Sequence, residues 1–295
     1  MDLIDLKTFE AVARLGSMNK AAMELHTVQS NVTARIQGLE HELRAELFER
    51  QARGVKLTAS GLRLLPFANR IALQIEQACS AVHDEGTPTG PLRLGSLEST
   101  AALRLSPWLS EYARRYPDVR LIVRTGTTAA LTREVADGRL EGAFVAGPIR
   151  HPELVHETVF EEELVLVTAP FVHSPKELAQ LTEVRTIVFQ YGCSYRQRLE
   201  SYLAGLGLVM AMPEEFGSLD MIMSCVAAGI GVTLLPRAVV AEATKRGRVV
   251  THRLPAGHAT VQTLFVRRRD AHVSSALAAF VDMTRLMPEQ AVRAA

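Results

Sequence analysis

The sequence predicts an α/β protein in two parts: a small, mostly helical winged helix-turn-helix with a long following helix, then a larger two-lobed α/β region. Three observations predict it. Apolar residues recur at helical period through the first forty or so positions, and again as a narrow repeat from Thr58 to about Asp84. The segment EGTPTGP at 85–91 has two glycines and two prolines, which cannot continue that helix. Beyond it, apolar strands alternate with amphipathic helices. With 295 residues and 47% hydrophobic content, the chain can bury sizeable cores in two or three domains.

The first helix is written by Leu3, Leu6, Phe9, Val12 and Ala13, and Gly16 ends it. Ser17 and Asn19 can cap a short second helix, NKAAMELH, whose Ala21, Ala22 and Leu25 face inward and permit a close crossing. Thr27 and Val28 form a tight connection to TVQSNVTARIQGLEHEL at 27–43. There Val32, Ile36, Leu39 and Leu43 share one face, while Ser30, Thr33, Ala34 and Gln37 point away. A solvated helix usually fills its outer face with Lys–Glu pairs four residues apart, and the first two turns have none. Small polar side chains let the backbone approach another surface, and Gln, Ser, Thr and Arg hydrogen-bond base edges and phosphates. The pattern alone also fits a plain surface helix, but two helices joined by a short turn are the DNA-reading geometry.

In AELFERQARGVKLTASG, Leu47 and Phe48 are apolar anchors, and Arg50, Arg53 and Lys56 surround Gly54 with no acid between Arg50 and Lys56. This predicts a basic β-wing placed to meet phosphates or the minor groove. The basic character is local: residues 1–60 hold eight Lys/Arg against eight Asp/Glu, and the whole chain has a formal charge of +1. In the long helix, Leu65, Ala68, Ala72, Ile75, Cys79 and Val82 are spaced 3, 4, 3, 4, 3. Such a seam suits pairing with a second chain, or a helix lying on its own domain, and Pro66 should kink it.

From residue 89 onward, PLRLGSL, SPWLSEYARRY, VRLIVRT, TAALTREVAD and EGAFVAG read as βαβαβ and predict a parallel sheet. A second round follows: EELVLVTA (162–169), a helix at SPKELAQL capped through Ser174, Pro175 and Glu177, RTIVFQY, a helix near SYRQRLESYLAGLG, then SLDMIMSCVAAG and VTLLP. QTLFVRR (262–268) and the helix VSSALAAFVDMTRLM complete the order. The expected domains are residues 1–58, a linker helix and hinge at 59–88, and 89–295, with lobe one about 89–161 and 267–295 and lobe two about 162–266.

Several function classes recede. MDLIDLK has acids where a secretory signal needs basic residues, so a cytoplasmic protein is expected. The uncharged run MIMSCVAAGIGVTLLP is 16 residues, below the roughly 20 that span a bilayer, and reads as a buried helix and a buried strand. Cys79, Cys193 and Cys225 form no CxxC pair. His151, His156, His252 and His258 lack metal spacing and read as surface residues, so no metal or cofactor is expected. GxSxG, GxGxxG, GK[ST] and HExxH are all missing.

DLKTFEAVARLGSMNKAAMELH, SNVTARIQGLEHEL and LFERQARGVKLTASG, followed by LRLGSLES, YPDVRLIVRTGTT, GRLEGAFVAG, EEELVLVTA and VAAGIGVTLLP, resemble the LysR-type transcriptional regulators over nearly the whole chain. The resemblance implies a winged helix-turn-helix, a dimerising linker helix and an effector domain similar to type 2 periplasmic binding proteins, commonly assembled as a dimer of dimers. Its implied partners are double-stranded DNA, a small-molecule effector and a second copy of the chain, as homodimer or homotetramer, with no membrane. Two positions depart from the family pattern: Arg44 stands where a glycine is usual, and Glu141 where an aspartate is common.

Gln29, Ser30, Thr33 and Arg53 match the family's DNA-contacting positions. Gln37 comes from the helical wheel, and Arg35 sits on the flank of the stripe, able to reach a base or a phosphate. Arg50 is as suited to bracing the wing as to binding DNA. For the effector, strand-to-helix junctions present free N–H groups. They nominate Ser99 and Thr100, Thr128 beside Thr127, Gln190, Ser194 and Tyr195 in QYGCSYR, and Ser218, for a small anionic or polar ligand. In QYGCSYR, Gly192 permits a tight approach, and Arg196 can pair with Glu200 instead of a ligand. Two rival readings use cysteine: a redox switch through Cys193 and Cys225, the latter among apolar neighbours that suit an inert buried thiol, or an enzyme with Cys193 as nucleophile.

Overall fold

The computed structural model describes residues 1–51, 54–180 and 183–286, so Arg53 lies outside the described residues. The chain forms two compact units, Met1–Asp84 with Asp137–Arg139, and Glu85–Ala136 with Leu140–Ala295.

In the first unit, α1 (Leu3–Leu15) starts at a capping box in which Asp2 accepts from the N–H groups of Ile4 and Asp5 while Asp5 accepts from that of Asp2. It ends at Gly16, φ 63°. Ser17 caps α2 (Met18–Glu24), and α3 (Gln29–Leu43) follows. Val32, Ile36 and Leu39 are buried with Phe9, Val12, Ala21 and Leu47, each such burial stabilising by about 1.5–3 kcal/mol for the larger side chains. Leu43, expected on that face, is 38% exposed because the helix ends there, with Arg44 turning left-handed at φ 50°.

The wing is the antiparallel pair β1 (Phe48–Gln51) and β2 (Gly54–Leu57). Glu40 Oε1 accepts from the Leu47 and Phe48 N–H groups at 2.7 and 3.2 Å. Gly54 lies so close to α1 that a Cβ would sit 2.4 Å from the Gly16 carbonyl, so no other residue fits without displacement. Thr58 caps α4 (Ala59–Val82), which contains Pro66. The predicted seam divides: Leu65 and Ala68 pack into this unit's own core, whereas Cys79 and Val82 are exposed.

The second unit opens with β3 (Gly90–Ser96), then α5 (Glu98–Thr100), a π-helical turn (Ala101–Leu105) and α6 (Ser106–Arg115) as one continuous helical path. Then come β4 (Val119–Thr125), α7 (Thr128–Ala136), β5 (Gly142–Ala146) and the long β6 (Leu154–Thr168). After it run β7 (Ile187–Phe189), α8 (Ser194–Gly205), β8 (Glu214–Phe216), α9 (Leu219–Ala227) and β9 (Thr233–Pro236). α10 (Arg237–Lys245), β10 (Val250–Arg253), α11 (Ala256–Ala259), β11 (Thr260–Arg268) and α12 (Ser275–Leu286) finish the order.

Strands run β10-β6-β11-β5-β3-β4, with β9 also on β6, and β7 pairs β8. The predicted parallel sheet holds for β4, β3 and β5, but the returning strands β11 and β6 are antiparallel. β6 pairs with β11 over its first two thirds and with β9 and β10 beyond, so one strand runs through both lobes. β11 already pairs β5 at Thr263–Val266, so the return to lobe one lies nearer residue 260 than 267. Trp108, Tyr112, Phe144, Phe265 and Phe280 fill lobe one, where the Tyr112 hydroxyl donates to the Ala276 carbonyl and ties α6 to α12.

Three expectations are corrected. SPKELAQL forms a 3₁₀ turn at Pro175–Gln180, not an α-helix: Ser174 Oγ accepts from Lys176 and Glu177 from the His173 N–H, so the predicted box does not close. α9 is amphipathic, burying Ile222 and Val226 while Met221 is exposed and Cys225 half-buried. His252 is buried, with its Nε2 2.9 Å from the Thr168 hydroxyl, because β10 pairs against β6 there. Among the described residues, no helix is long and apolar enough to cross a membrane.

Candidate functional site

Two places have the geometry of sites, one in each unit. On α3, the buried stripe turns Gln29, Ser30 and Gln37 outward, all exposed, with Thr33 half-buried beside them. Val28 puts no side-chain cap on the first turn, where the Asn31 N–H is taken by the Val28 carbonyl at 3.1 Å. Asn31 Nδ2 donates to Thr27 Oγ1 at 3.1 Å, holding the turn before the helix. Arg35 is engaged differently: its guanidinium lies 2.9 Å from Asp5 and 3.8 Å from Asp2, at the start of α1.

In the second unit, a cavity of about 90 Å³ lies between the lobes. Leu97, Glu98, Ser99, Thr125, Gly126 and Thr127 line it from lobe one, and Phe189, Gln190, Cys193, Tyr195 and Gly217 from lobe two. Three helices begin at its wall without a side-chain cap: α5 after Leu97, α8 after Cys193 and α9 after Ser218. Their first turns therefore present the positive ends of helix dipoles, with the Tyr195 and Arg196 N–H groups of α8 directed at the Cys193 thiol. The lining has no Lys, Arg or His, and Glu98 contributes a carboxylate, so any attraction for an anion comes from backbone.

Ser99 Oγ and Tyr195 Oη lie 3.4 Å apart, joining the lobes across the cavity. Burial pushes the Tyr195 phenol well above its usual range, reinforced by the nearby Glu162 carboxylate. Gly192, φ +92°, brings the lobe-two loop so near α7 that a Cβ would meet the Ala129 Cβ at 2.8 Å. Arg198 donates to the carbonyls of Thr260 and Gly147, anchoring α8 beside β11.

Of the predicted effector residues, Ser99, Gln190 and Tyr195 come together on this cavity. Thr100 is fully buried behind Ser99. Thr128 is not in the lining and its neighbour Thr127 is; each hydroxyl accepts one backbone N–H at 3.3 Å, from Ala146 and Ala130 respectively. Ser194 is half-buried outside the lining, and Ser218 is an exposed helix start next to Gly217. Arg196 is paired with Glu200 and Glu215. The lining residues that sequence reasoning did not single out are Leu97, Glu98, Thr125, Gly126 and Phe189; outside the lining it also missed a buried pair, Arg104 and Glu162, whose Nε and Oε1 are 4.0 Å apart. A buried charge pair gives no periodic signal; only the tertiary fold brings positions 104 and 162 together.

The cysteines do not assemble a reactive centre. Cys193 is buried and Cys225 half-buried, in different apolar clusters. Burial pushes the Cys193 thiol up, against the pull of the Tyr195 and Arg196 N–H groups, which disfavours a thiolate. Among the described residues, no group of three or more His, Cys, Asp or Glu side chains is placed to hold a metal.

A helix-turn-helix ahead of a two-lobed α/β domain with a cleft is the build of a bacterial transcription regulator. Residues 3–62 match "Bacterial regulatory helix-turn-helix protein, lysR family" and residues 85–287 match "LysR substrate binding domain". The chain is 42% identical over 288 residues to the HTH-type transcriptional regulator GltR of Bacillus subtilis (strain 168), covering 97% of this chain and 96% of that protein. Its fold is similar to the crystal structure of CbnR, a LysR family transcriptional regulator, with TM-score 0.68 and 23% identity over 98% of this chain and 100% of that one. Full-length CbnR complexed with its target DNA gives TM-score 0.66 and 22% identity, covering 97% and 99%. The chain belongs to the LysR family of transcriptional regulators, which are not enzymes.

Proposed function

We propose that the chain is a sequence-specific DNA-binding regulator whose activity is set by a small polar or anionic effector between the lobes of its C-terminal domain. On this reading residues 1–58 bind DNA, 59–88 link and dimerise, and 89–295 bind the effector. The observation that carries it is the convergence of three uncapped helix starts, from both lobes, on one cavity. A ligand there gains most when the lobes close, so binding biases the relative population of lobe arrangements.

Gln29, Ser30, Thr33 and Gln37 supply base-edge contacts, and Arg53 a minor-groove contact from the wing. The CbnR complex with its target DNA supports this use of the shared fold. The exposed Cys79 and Val82 on α4 support pairing of two chains, as dimer or tetramer. Ser99, Gln190 and Tyr195 are the effector contacts, with Thr127 replacing Thr128.

Fluorescence-anisotropy titration on the DNA upstream of the protein's own gene, over a salt series, tests the first half. Thr33→Glu places a carboxylate against phosphates and base edges, and specific affinity is expected to fall at least about tenfold, 1.4 kcal/mol. Equal, feeble binding by both proteins overturns the assignment of α3. A promoter-fusion reporter across a panel of carbon and nitrogen sources tests the second half. Ser99→Ala is expected to abolish the response to whichever source changes expression; a retained response overturns the pocket.

A further inference from the structure

Outside the cavity lining, four buried polar atoms have no hydrogen-bond partner in the protein: Thr100 Oγ1, Arg104 Nε and both carboxylate oxygens of Glu162. Thr100 is 0% exposed, Glu162 5% and Arg104 9%. Buried polar groups are almost always satisfied, so a cluster of unmet ones indicates an occupant that supplies the missing partners. The Arg104–Glu162 separation of 4.0 Å is an ion-pair distance, too long for a hydrogen bond, so the pair neutralises charge without meeting its own directional needs.

None of these three residues lines the cavity, but two links lead from it to them. Thr100 directly follows Ser99, and Arg104 is one turn further along the same helical path, where the π-helical turn Ala101–Leu105 interrupts the α geometry. Such turns recur at functional sites because they re-aim side chains at the expense of regular hydrogen bonding. Arg104 is steered onto β6, its guanidinium 5.0 Å from the Phe160 ring and facing Glu162. On the other side, Tyr195, which meets Ser99 across the cavity, lies within electrostatic reach of Glu162.

The donor and acceptor pattern selects the occupant. Glu162 needs donors, Arg104 Nε needs an acceptor, and the pair together carries no net charge. An ammonium group would face Arg104, and a second carboxylate would face Glu162. A hydroxyl group donates to one and accepts from the other without adding charge, and the Thr100 hydroxyl can complete the triangle. We propose that Thr100, Arg104 and Glu162 form a hydroxyl-recognising subsite of the interlobe pocket, so that the effector is a small carboxylate carrying at least one hydroxyl. Its carboxylate takes the uncapped helix starts, and its hydroxyl reaches the cluster behind Ser99. This rests on the effector reading of the pocket.

Isothermal titration of the full-length protein with matched acids tests it: propionate against lactate and glycerate, and succinate against malate and tartrate. In at least one series the hydroxylated acid is expected to bind about tenfold or more tightly than its deoxy partner. Thr100→Val, which removes a hydroxyl with no partner in the protein and keeps the side chain's shape, should collapse that ratio while leaving the deoxy acid's affinity within about threefold. Glu162→Gln should do the same; if it fails to fold beside Arg104, Thr100→Val carries the test. Ser99→Ala should weaken both members of a pair alike.

Equal binding of both members to the wild type, still dependent on Ser99, means the cluster holds water only; the subsite is then wrong and the pocket stands. Discrimination that survives Thr100→Val and Glu162→Gln also overturns the subsite. If no acid in either series binds, the hydroxy-acid proposal falls, while the pocket is decided separately by the Ser99→Ala reporter response.

Discussion

The outer face of α3 and the interlobe cavity both present small polar groups beside an uncapped helix start, yet they are built in opposite ways. The α3 face lies within one helix and is fixed by one buried stripe, Val32, Ile36 and Leu39. The cavity is assembled from residues between Leu97 and Gly217, on two lobes joined through β6 and β11. A surface held by one rigid element suits a recognition task with a fixed target. A surface divided between lobes changes shape when they move, which is what a ligand needs in order to shift a population.

The thiols of the two units give the largest contrast. Cys79 is exposed on α4, while Cys193 lines the cavity with its thiol held above the usual range by burial. In protein dilute enough that α4 is unpaired, iodoacetamide at pH 8 should alkylate Cys79 more than about a hundredfold faster than Cys193, since reactivity follows thiolate fraction and access. Peptide mass spectrometry reads both sites, with the half-buried Cys225 as an intermediate case. Comparable rates would show that the lobes stand open in solution and would restore the redox reading.

Gly192 tests how the lobes meet. A Cβ there would be 2.8 Å from the Ala129 Cβ and 3.0 Å from Thr127 Oγ1, at φ +92°. Gly192→Ala is expected to lower stability by about 1–3 kcal/mol in urea unfolding, through left-handed strain and overpacking. Gly205→Ala, with nothing within 4 Å of the added Cβ, is the control and should not destabilise. Equal behaviour of the two variants would mean that the lobe contact at Gly192 does not form.

The two regions also differ in how much the sequence revealed. Periodicity places Val32, Ile36 and Leu39 inside and Ser30 and Gln37 outside, because a single helix obeys one rule along its length. β4 coincides with VRLIVRT for the same reason. The strand-to-helix junction rule names Ser99, Gln190 and Tyr195, which line the cavity, and Thr128, which does not, since it cannot tell which of two adjacent threonines the helix start turns toward the other lobe. Arg104 and Glu162 are illegible: one sits in a π-helical turn and the other in a strand 58 positions later, and neither breaks a local pattern. His252 reads as a surface residue in the sequence because its burial in β10 depends on pairing with β6, which no local pattern records.

A smaller effect separates family pattern from local geometry. Arg44 closes α3 at φ 50°, ψ 40°, where the family usually has glycine. A residue with a Cβ pays about 1–2 kcal/mol there, partly offset by glycine's greater freedom in the unfolded chain. Arg44→Gly should therefore stabilise the N-terminal unit by about 0.5–1 kcal/mol, read as a higher urea midpoint with unchanged slope.

Arg35 gives the smallest expected shift and the sharpest test of what the α3 face is for. Its guanidinium is 2.9 Å from Asp5, a residue that also accepts from the Asp2 N–H in the α1 capping box, so the arginine braces α3 against the start of α1. The Arg35 side chain is 38% exposed, and a partly exposed pair of this kind contributes less than about 1 kcal/mol. Arg35→Ala should lower stability by a few tenths of a kcal/mol, on the order expected for such pairs, and leave the slope of log K against log salt unchanged. Arg53→Ala should instead reduce that slope by about one, the signature of a lost cationic contact to DNA. If Arg35→Ala reduces the slope as well, the arginine leaves Asp5 on binding. The α3 surface would then rearrange around its target, and the contrast between a rigid reading face and a mobile pocket would fail at the residue where the two units' designs differ most.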